Sequence, residues 1–121
     1  MQIAEETRGD VTILRPAGPI DSAAAPRFEA RLIAALAPAD PDAPAKAPAR
    51  LVLDLSAVTQ LTPAGLRPLL LAVRQARTMH GRIVLAAVPA PVRAVLDEAG
   101  LSALLESHGA LEAAVQAASR Q

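Results

Sequence analysis

Short aliphatic segments, some alternating with polar residues and some uninterrupted, predict the strands of this chain. Residues 1–8 and 11–17 are predicted to form a hairpin, because the Gly-Asp pair at 9–10 is typical of tight turns. Residues 51–55 and 83–88 are nearly continuous aliphatic runs, which are typical of parallel strands buried on both faces. The pattern therefore predicts a sheet that combines an antiparallel hairpin with parallel strands.

Four other segments space their apolar residues along one face of a helix. Their predicted bounds are Asp21 or Ser22 to Leu36, Thr62 to His80, Pro89 to Gly100, and Ser107 to Ala118. The second segment starts with Thr62 and Pro63, a capping residue followed by proline at the first helical position. Between the last two helices, Leu101 to Glu106 predicts a short final strand.

Strands and helices alternate from residue 50 onward, which favours parallel strands joined by right-handed crossovers. The predicted fold class is therefore α/β, with a single domain over residues 1–121, a mixed sheet and about four helices. Residues 37–49 contain four prolines among thirteen residues, which is too many for a regular element. We interpret this Pro/Ala-rich segment as a solvated loop inside the domain, because the pieces on either side are too small to fold alone.

The composition narrows the range of partners. Twelve basic residues balance twelve acidic ones, and Phe28 is the only aromatic residue, so neither a nucleic acid nor an anionic membrane surface is the expected partner. No apolar run is long enough to cross a bilayer, so direct membrane insertion is not expected. The first residues lack the layout of a signal peptide and the chain has no cysteine, so we expect a cytoplasmic protein.

The polar residues show no arrangement typical of an enzyme. No serine lies in a nucleophile motif, and only His80 and His108 could act as a base. No strong ligands follow zinc or calcium spacing, and the glycines are scattered singly. A phosphoacceptor receiver domain is also disfavoured, because the only lysine, Lys46, lies in the Pro/Ala-rich segment. We therefore predict no enzymatic activity, no catalytic residues, no cofactor and no metal site.

The most informative segment is Leu51 to Gly65. It predicts a buried strand ending in Asp54, a short connection, and a helix that starts at Thr62. A helix N-terminus presents unpaired backbone N–H groups and positive potential. The small residues Ala64 and Gly65 would let another chain approach this end closely. The pattern favours an exposed docking surface for a partner protein.

Several segments, in this order and spacing, resemble motifs of the STAS domain family. They are Gly18 to Asp21, Leu51 to Ser56, Thr62 to Arg67, Gly81 to Leu85, Pro91 to Leu96, and Gly100-Leu101. The resemblance covers nearly the whole chain. It implies a mixed sheet packed with helices and no catalysis by the domain itself.

The family resemblance also implies a partner and a switch. Stand-alone bacterial members are anti-sigma factor antagonists, which bind an anti-sigma factor that is also a serine/threonine kinase. In such partner switching, the kinase phosphorylates a hydroxyl at a helix start, and this modification blocks binding. The acceptor position aligns here with Pro63, which cannot be phosphorylated. Either the neighbouring Thr62 has become the phosphosite, or the switch is absent.

The resemblance places the partner-binding residues around this helix start. They are Asp21, Asp54, Thr62, Pro63, Ala64, Gly65 and Arg67. Ordinary structural roles are also open for three of them: Asp21 and Thr62 as helix caps, and Asp54 as an acceptor for loop N–H groups. A second hypothesis is a cytoplasmic STAS subunit of a lipid-type ABC transporter, whose partner would be an ATPase subunit.

Overall fold

The elements alternate between strand and helix along most of the chain. The computed structural model describes residues 1–36 and 49–119, and these residues form six strands and four α-helices. The strands are β1 (Gln2–Arg8), β2 (Val11–Ile20), β3 (Arg50–Asp54), β4 (Val58–Leu61), β5 (Arg82–Ala86) and β6 (Glu106–His108). The helices are α1 (Ala25–Leu36), α2 (Pro63–Thr78), α3 (Ala90–Glu98) and α4 (Leu111–Ser119), with a 3₁₀ turn at Leu101–Ala103.

Five strands form a continuous sheet in the order β1-β2-β3-β5-β6. Strand β1 pairs antiparallel with β2, whereas the other neighbours in this order pair in parallel. Strand β2 is long enough to have two parallel partners, because residues 11–14 pair with β3 and residues 18–20 pair with β4. The predicted α/β class with a mixed sheet is confirmed.

The two faces of the sheet are covered differently. Helices α1, α2 and α3 cover one face and bury the larger side chains, including Phe28, Leu32, Leu69 and Leu96. Helix α4 covers the other face and contacts it mainly through alanines, namely Ala114, Ala117 and Ala118. Consecutive residues of a strand point to opposite faces, so both faces of β3 and β5 are buried. This explains why their sequences are aliphatic without interruption.

Strand β4 was not predicted, since the connection after β3 was expected to lack regular structure. Only Val58 and Leu61 of this strand are buried, and Thr59 and Gln60 between them are exposed, so no alternation marks it. Strand β2 also runs further than predicted, to Ile20. A register shift after Gly18, whose φ is 92°, lets β2 bend and pair with β4.

The prediction for the segment after α3 was wrong in detail. Residues 101–103 form a 3₁₀ turn rather than the beginning of a strand, and the strand is residues 106–108. Ser107 lies inside this strand and therefore does not cap α4, which begins at Leu111. The predicted loop at 37–49 lies, except for Ala49, outside the described residues. Within the described ranges, no helix combines the length and the apolar character that a bilayer span requires.

Candidate functional site

The start of α2 is held by a single carbonyl at the end of β2. The backbone N–H of Thr62 donates to the Ile20 oxygen at 3.1 Å, and the Thr62 hydroxyl donates to the same oxygen at 3.2 Å. The hydroxyl also accepts from the backbone N–H of Gly65 at 3.3 Å. Thr62 has extended backbone angles and is therefore a capping residue, as its position before Pro63 predicted.

Gly65 permits a close approach between α2 and β2. It is buried, and a Cβ atom at this position would lie 2.0 Å from the Ile20 carbonyl oxygen. Any side chain larger than hydrogen would collide with backbone atoms, which move less easily than side chains. The space beside Gly65 is therefore filled by the protein's own Ile20.

The outer side of the same helix start is open. Pro63, Ala64 and Arg67 are all exposed, whereas Gly65 and Pro68 face inward. No described residue covers Pro63 and Ala64 from outside, so the expected exposure of this helix end is found on its outer half.

The start of α1 lies beside the start of α2. Asp21 follows Ile20 directly, and its Oδ1 atom accepts from the backbone N–H groups of Ala23 at 3.1 Å and Ala24 at 3.0 Å. Asp21 therefore caps the turn that leads into α1. Because Ile20 holds α2 and Asp21 caps the turn that leads into α1, the end of β2 positions both helix starts.

An open groove of about 300 Å³ separates these two helices. Its lining residues are Ser22, Ala25, Pro26, Glu29, Ala64, Arg67 and Pro68. The sequence did not predict that Pro26 and Glu29 line this groove, because the sides on which α1 and α2 face each other depend on how both helices pack on the sheet. Arg67 and Glu29 are the charged groups of the groove, and most of the remaining lining is small or apolar.

Asp54 lies apart from this groove. Its side chain is on the α4 face of the sheet, where Oδ1 accepts from the Ser56 N–H at 3.0 Å and Oδ2 accepts from Arg15 Nε at 3.3 Å. Arg15 also contacts Glu6 at 3.1 Å. Asp54 is only 8% exposed, and both of its carboxylate oxygens accept from the protein's own donors.

The ion pairs around Asp54 continue toward α4. Glu6 contacts Arg8 at 2.6 Å, and Arg8 contacts Glu112 of α4 at 2.6 Å. The hydrogen bond from Arg8, helped by the charges of Arg8 and Arg15, holds the pKa of Glu6 below its ordinary value of 4.5. These residues form a network that joins β1, β2 and β3 to α4. Asp54 belongs to it, whereas the other predicted residues surround the helix starts.

Within residues 1–36 and 49–119, no group of three or more His, Cys, Asp or Glu side chains is placed to bind a metal ion. The groups that line the groove are those of a contact surface: two proline rings, methyl groups, a serine hydroxyl, one guanidinium and one carboxylate.

Comparison with protein families gives one match, to the STAS domain model, over residues 2–118. No curated protein matches the sequence. Among solved structures, an anti-sigma factor antagonist from Mycobacterium paratuberculosis is 25% identical, with a TM-score of 0.80 over 98% of this chain and 94% of that chain.

Two further structures have the same fold at lower identity. The anti-sigma factor antagonist SpoIIAA of Bacillus, in its unphosphorylated form, is 16% identical, with a TM-score of 0.72 over 99% of each chain. A sulfate transporter family protein from Wolinella succinogenes is 15% identical, with a TM-score of 0.73 over 93% of this chain and 88% of that chain. The fold is therefore shared by antagonists and by transporter domains.

The family match spans nearly the whole chain and agrees with the topology of the sheet and its four helices. The predicted family resemblance is thereby confirmed. This chain belongs to the STAS domain family and has the fold of its anti-sigma factor antagonists.

Proposed function

We propose that this chain is a non-enzymatic regulatory module that binds a serine/threonine kinase-type anti-sigma factor in a partner-switching system. The observation that carries the proposal is the uncovered outer side of the α2 start, where Pro63, Ala64 and Arg67 are exposed. Anti-sigma factor antagonists with the same fold act, as their name states, against another protein. Binding of a protein rather than catalysis is therefore the proposed activity.

The chemistry of this surface suits protein docking. Pro63 and Ala64 have few or no side-chain rotamers to lose, so a partner can cover them at a small entropic cost. The adjoining groove offers apolar lining from Ala25 and Pro26, and Arg67 adds a charged group at its border. Ile20 holds the helix start in place before binding, which reduces the ordering that docking requires.

We propose further that docking is not switched by phosphorylation at this helix start. Pro63 has no hydroxyl, and the Thr62 hydroxyl is already bonded to the Ile20 carbonyl and the Gly65 N–H. A phosphate on Thr62 would remove the proton donated to Ile20 and would place negative charge against that carbonyl oxygen. Modification would therefore disturb the cap itself, and we favour a constitutive docking surface.

The test uses the purified chain and a purified kinase-type anti-sigma factor from the same genome, with affinity measured by calorimetry. Ala64→Arg introduces a long charged side chain at the centre of the surface and should weaken binding at least tenfold. Ala110→Arg, an exposed position beside α4, makes the same change on the other face of the sheet and should leave the affinity unchanged. Equal affinities for both variants would contradict the proposed surface.

A second measurement addresses the switch. After incubation with the kinase and ATP, mass spectrometry should find no phosphate on Thr62, and the affinity should be unchanged. Stoichiometric phosphorylation of Thr62 with loss of binding would refute constitutive docking. Selective binding to an ATP-binding cassette subunit instead of the kinase would favour the transporter alternative.

A further inference from the structure

All the charged side chains of helix α2 are basic. It contains three of the chain's 12 basic residues and none of its 12 acidic ones. Arg67, Arg74 and Arg77 are exposed, and none of them forms an ion pair with another described residue. Elsewhere, arginines such as Arg15 and Arg31 are paired with carboxylates.

The geometry of the helix arranges these residues as a stripe. Arg67 and Arg74 are seven residues apart, so they lie on the same side of α2, about 10 Å apart along its axis. Leu71 lies between them on this side and is 41% exposed. Arg77 follows Arg74 by one turn. We call these four residues the arginine stripe.

Two carboxylates near the ends of the stripe do not neutralise it. Glu29 lines the α1–α2 groove together with Arg67 but forms no ion pair with it. Glu106 lines a second groove, of about 250 Å³, together with Arg77, but its carboxylate is bonded to Arg82. Arg74 lines neither groove and lies in the centre of the stripe.

Electrostatic stabilisation of the helix does not account for these positions. Arg67 lies in the second turn of α2, too far from the C-terminal end to gain from the helix dipole. Arg74 and Arg77 are neighbours on the helix surface and repel each other. Only Arg77, in the last turn, has a favourable interaction with the dipole. Substitution of Arg74 is therefore the most direct test for a role other than stabilising the fold.

We propose that the arginine stripe is a docking surface for an acidic, partly helical surface of a partner protein. The stripe extends the surface at the α2 start along the helix. This inference rests on the proposed function, because it assigns the α2 start and the arginine stripe to the same partner. The partner would present carboxylates about 10 Å apart, to meet Arg67 and Arg74, and an apolar side chain between them to cover Leu71. Charge complementarity of this kind raises the association rate and fixes the register of two helices.

Other anionic partners fit this surface less well. A single exposed leucine gives α2 too little apolar surface to lie in a bilayer interface, since its other large aliphatic side chains are buried in the core or packed against it. Phe28 is the only aromatic residue and is buried, so no side chain is available to stack on nucleic-acid bases. A protein surface can offer carboxylates to the arginines and an apolar side chain to Leu71.

The experiment measures the affinity of the purified kinase for three forms of the full chain at low and high salt. Arg74→Glu should weaken binding at least tenfold and flatten its salt dependence, because it reverses the central charge. Arg27→Glu is the matched control: Arg27 is exposed on α1, forms no ion pair with another described residue and does not line the groove. This control should bind like the unmodified chain. Equal effects of Arg74→Glu and Arg27→Glu would overturn the inference. The proposed function would still stand if Ala64→Arg abolished binding.

If the kinase does not bind, that result refutes the proposed function but not the docking role of the arginine stripe. A second probe then tests the stripe directly. A synthetic helical peptide with glutamates two turns apart around a leucine is titrated into the isotope-labelled chain, and amide shifts are followed by NMR. Shifts at residues 67–78 that disappear in Arg74→Glu, and with a lysine version of the peptide, would support the inference. Shifts confined to other elements, or no shifts, would overturn it. Binding of phosphatidylglycerol vesicles or DNA that depends on Arg74, with no response to the peptide or kinase, would overturn it as well.

Discussion

At the scale of single residues, the Ile20 carbonyl oxygen ties the candidate site to the sheet. It accepts two hydrogen bonds from Thr62, and Gly65 lies so close to it that a Cβ atom would be 2.0 Å away. A Thr-Pro pair at a helix start predicts the cap from sequence alone. The dependence on Ile20 could not be predicted, because Ile20 is 42 residues away from Thr62 in the chain.

Gly65→Ala should destabilise the protein by about 3 kcal/mol or more, because the new methyl group meets a backbone carbonyl that cannot move without shifting β2. Chemical denaturation followed by circular dichroism measures this loss. Gly109→Ala is the control, since no atom beyond Gly109 and its two chain neighbours lies within 4 Å of a Cβ atom at that position. A loss at Gly65 no greater than that at Gly109 would show that α2 does not pack against β2 this closely.

Thr62→Ala should reduce the free energy of unfolding by about 1 kcal/mol, the usual cost of removing a helix cap. Thr62→Ser keeps the hydroxyl and should keep most of the stability. The same denaturation experiment compares the two variants. Equal losses in both would mean that the methyl group, rather than the hydroxyl, accounts for the effect.

At the scale of elements, the edge strand β6 is joined to β5 by side chains as well as by backbone pairing. Glu106 accepts from His108 Nε2 at 2.6 Å and also forms a close ion pair with Arg82 of β5. The hydrogen bond from His108, and then that from Arg82, holds the pKa of Glu106 below its ordinary value of 4.5, although partial burial opposes the shift. A three-residue strand gains little from its backbone bonds alone, so these contacts add to its attachment.

A lowered pKa in the folded state makes this contribution depend on pH. The ionised form of Glu106 stabilises the fold above about pH 4.5, and this stabilisation is lost as the pH falls through the lowered pKa. Glu106→Gln should therefore be less stable than the unmodified protein near neutral pH, by less than about 1 kcal/mol because the pair is exposed, and the difference should vanish in acid.

The measurement is chemical denaturation of both proteins at several values between about pH 7 and about pH 3. Glu98→Gln serves as the control, because Glu98 is exposed and forms no ion pair with any described residue. A difference for Glu106→Gln that stays constant over this range would contradict the role of its charge.

At the scale of the whole molecule, the sheet is assembled from strands on both sides of the Pro/Ala-rich segment. Strands β1 and β2 precede it, β3 follows it, and β2 pairs with β3 in parallel. The core beneath α1, α2 and α3 likewise combines Phe28 and Leu32 with Leu69 and Leu96. Neither part of the chain can bury its apolar surface without the other.

The protein should therefore unfold in a single cooperative transition. Circular dichroism, which follows the helices, and methyl NMR signals, which follow the core, should give the same denaturation midpoint. Two separated transitions would contradict the prediction that residues 1–121 form one domain.

The sequence alone determined the features that depend on neighbouring residues. The aliphatic runs of β3 and β5 indicated strands buried on both faces, and the Thr-Pro pair indicated where α2 begins, since capping and side-chain alternation are local effects. The predicted cap at Asp21 or Ser22 indicated the turn that leads into α1, whereas the helix itself begins at Ala25. The tertiary structure alone decided what depends on pairing between distant segments. It made a strand of residues 58–61 by pairing them with the end of β2, placed Asp54 in an ion network on the α4 face, and formed the groove between α1 and α2. Hydrogen bonds and contacts across tens of residues leave no periodic mark in the chain, so no local pattern could have shown them.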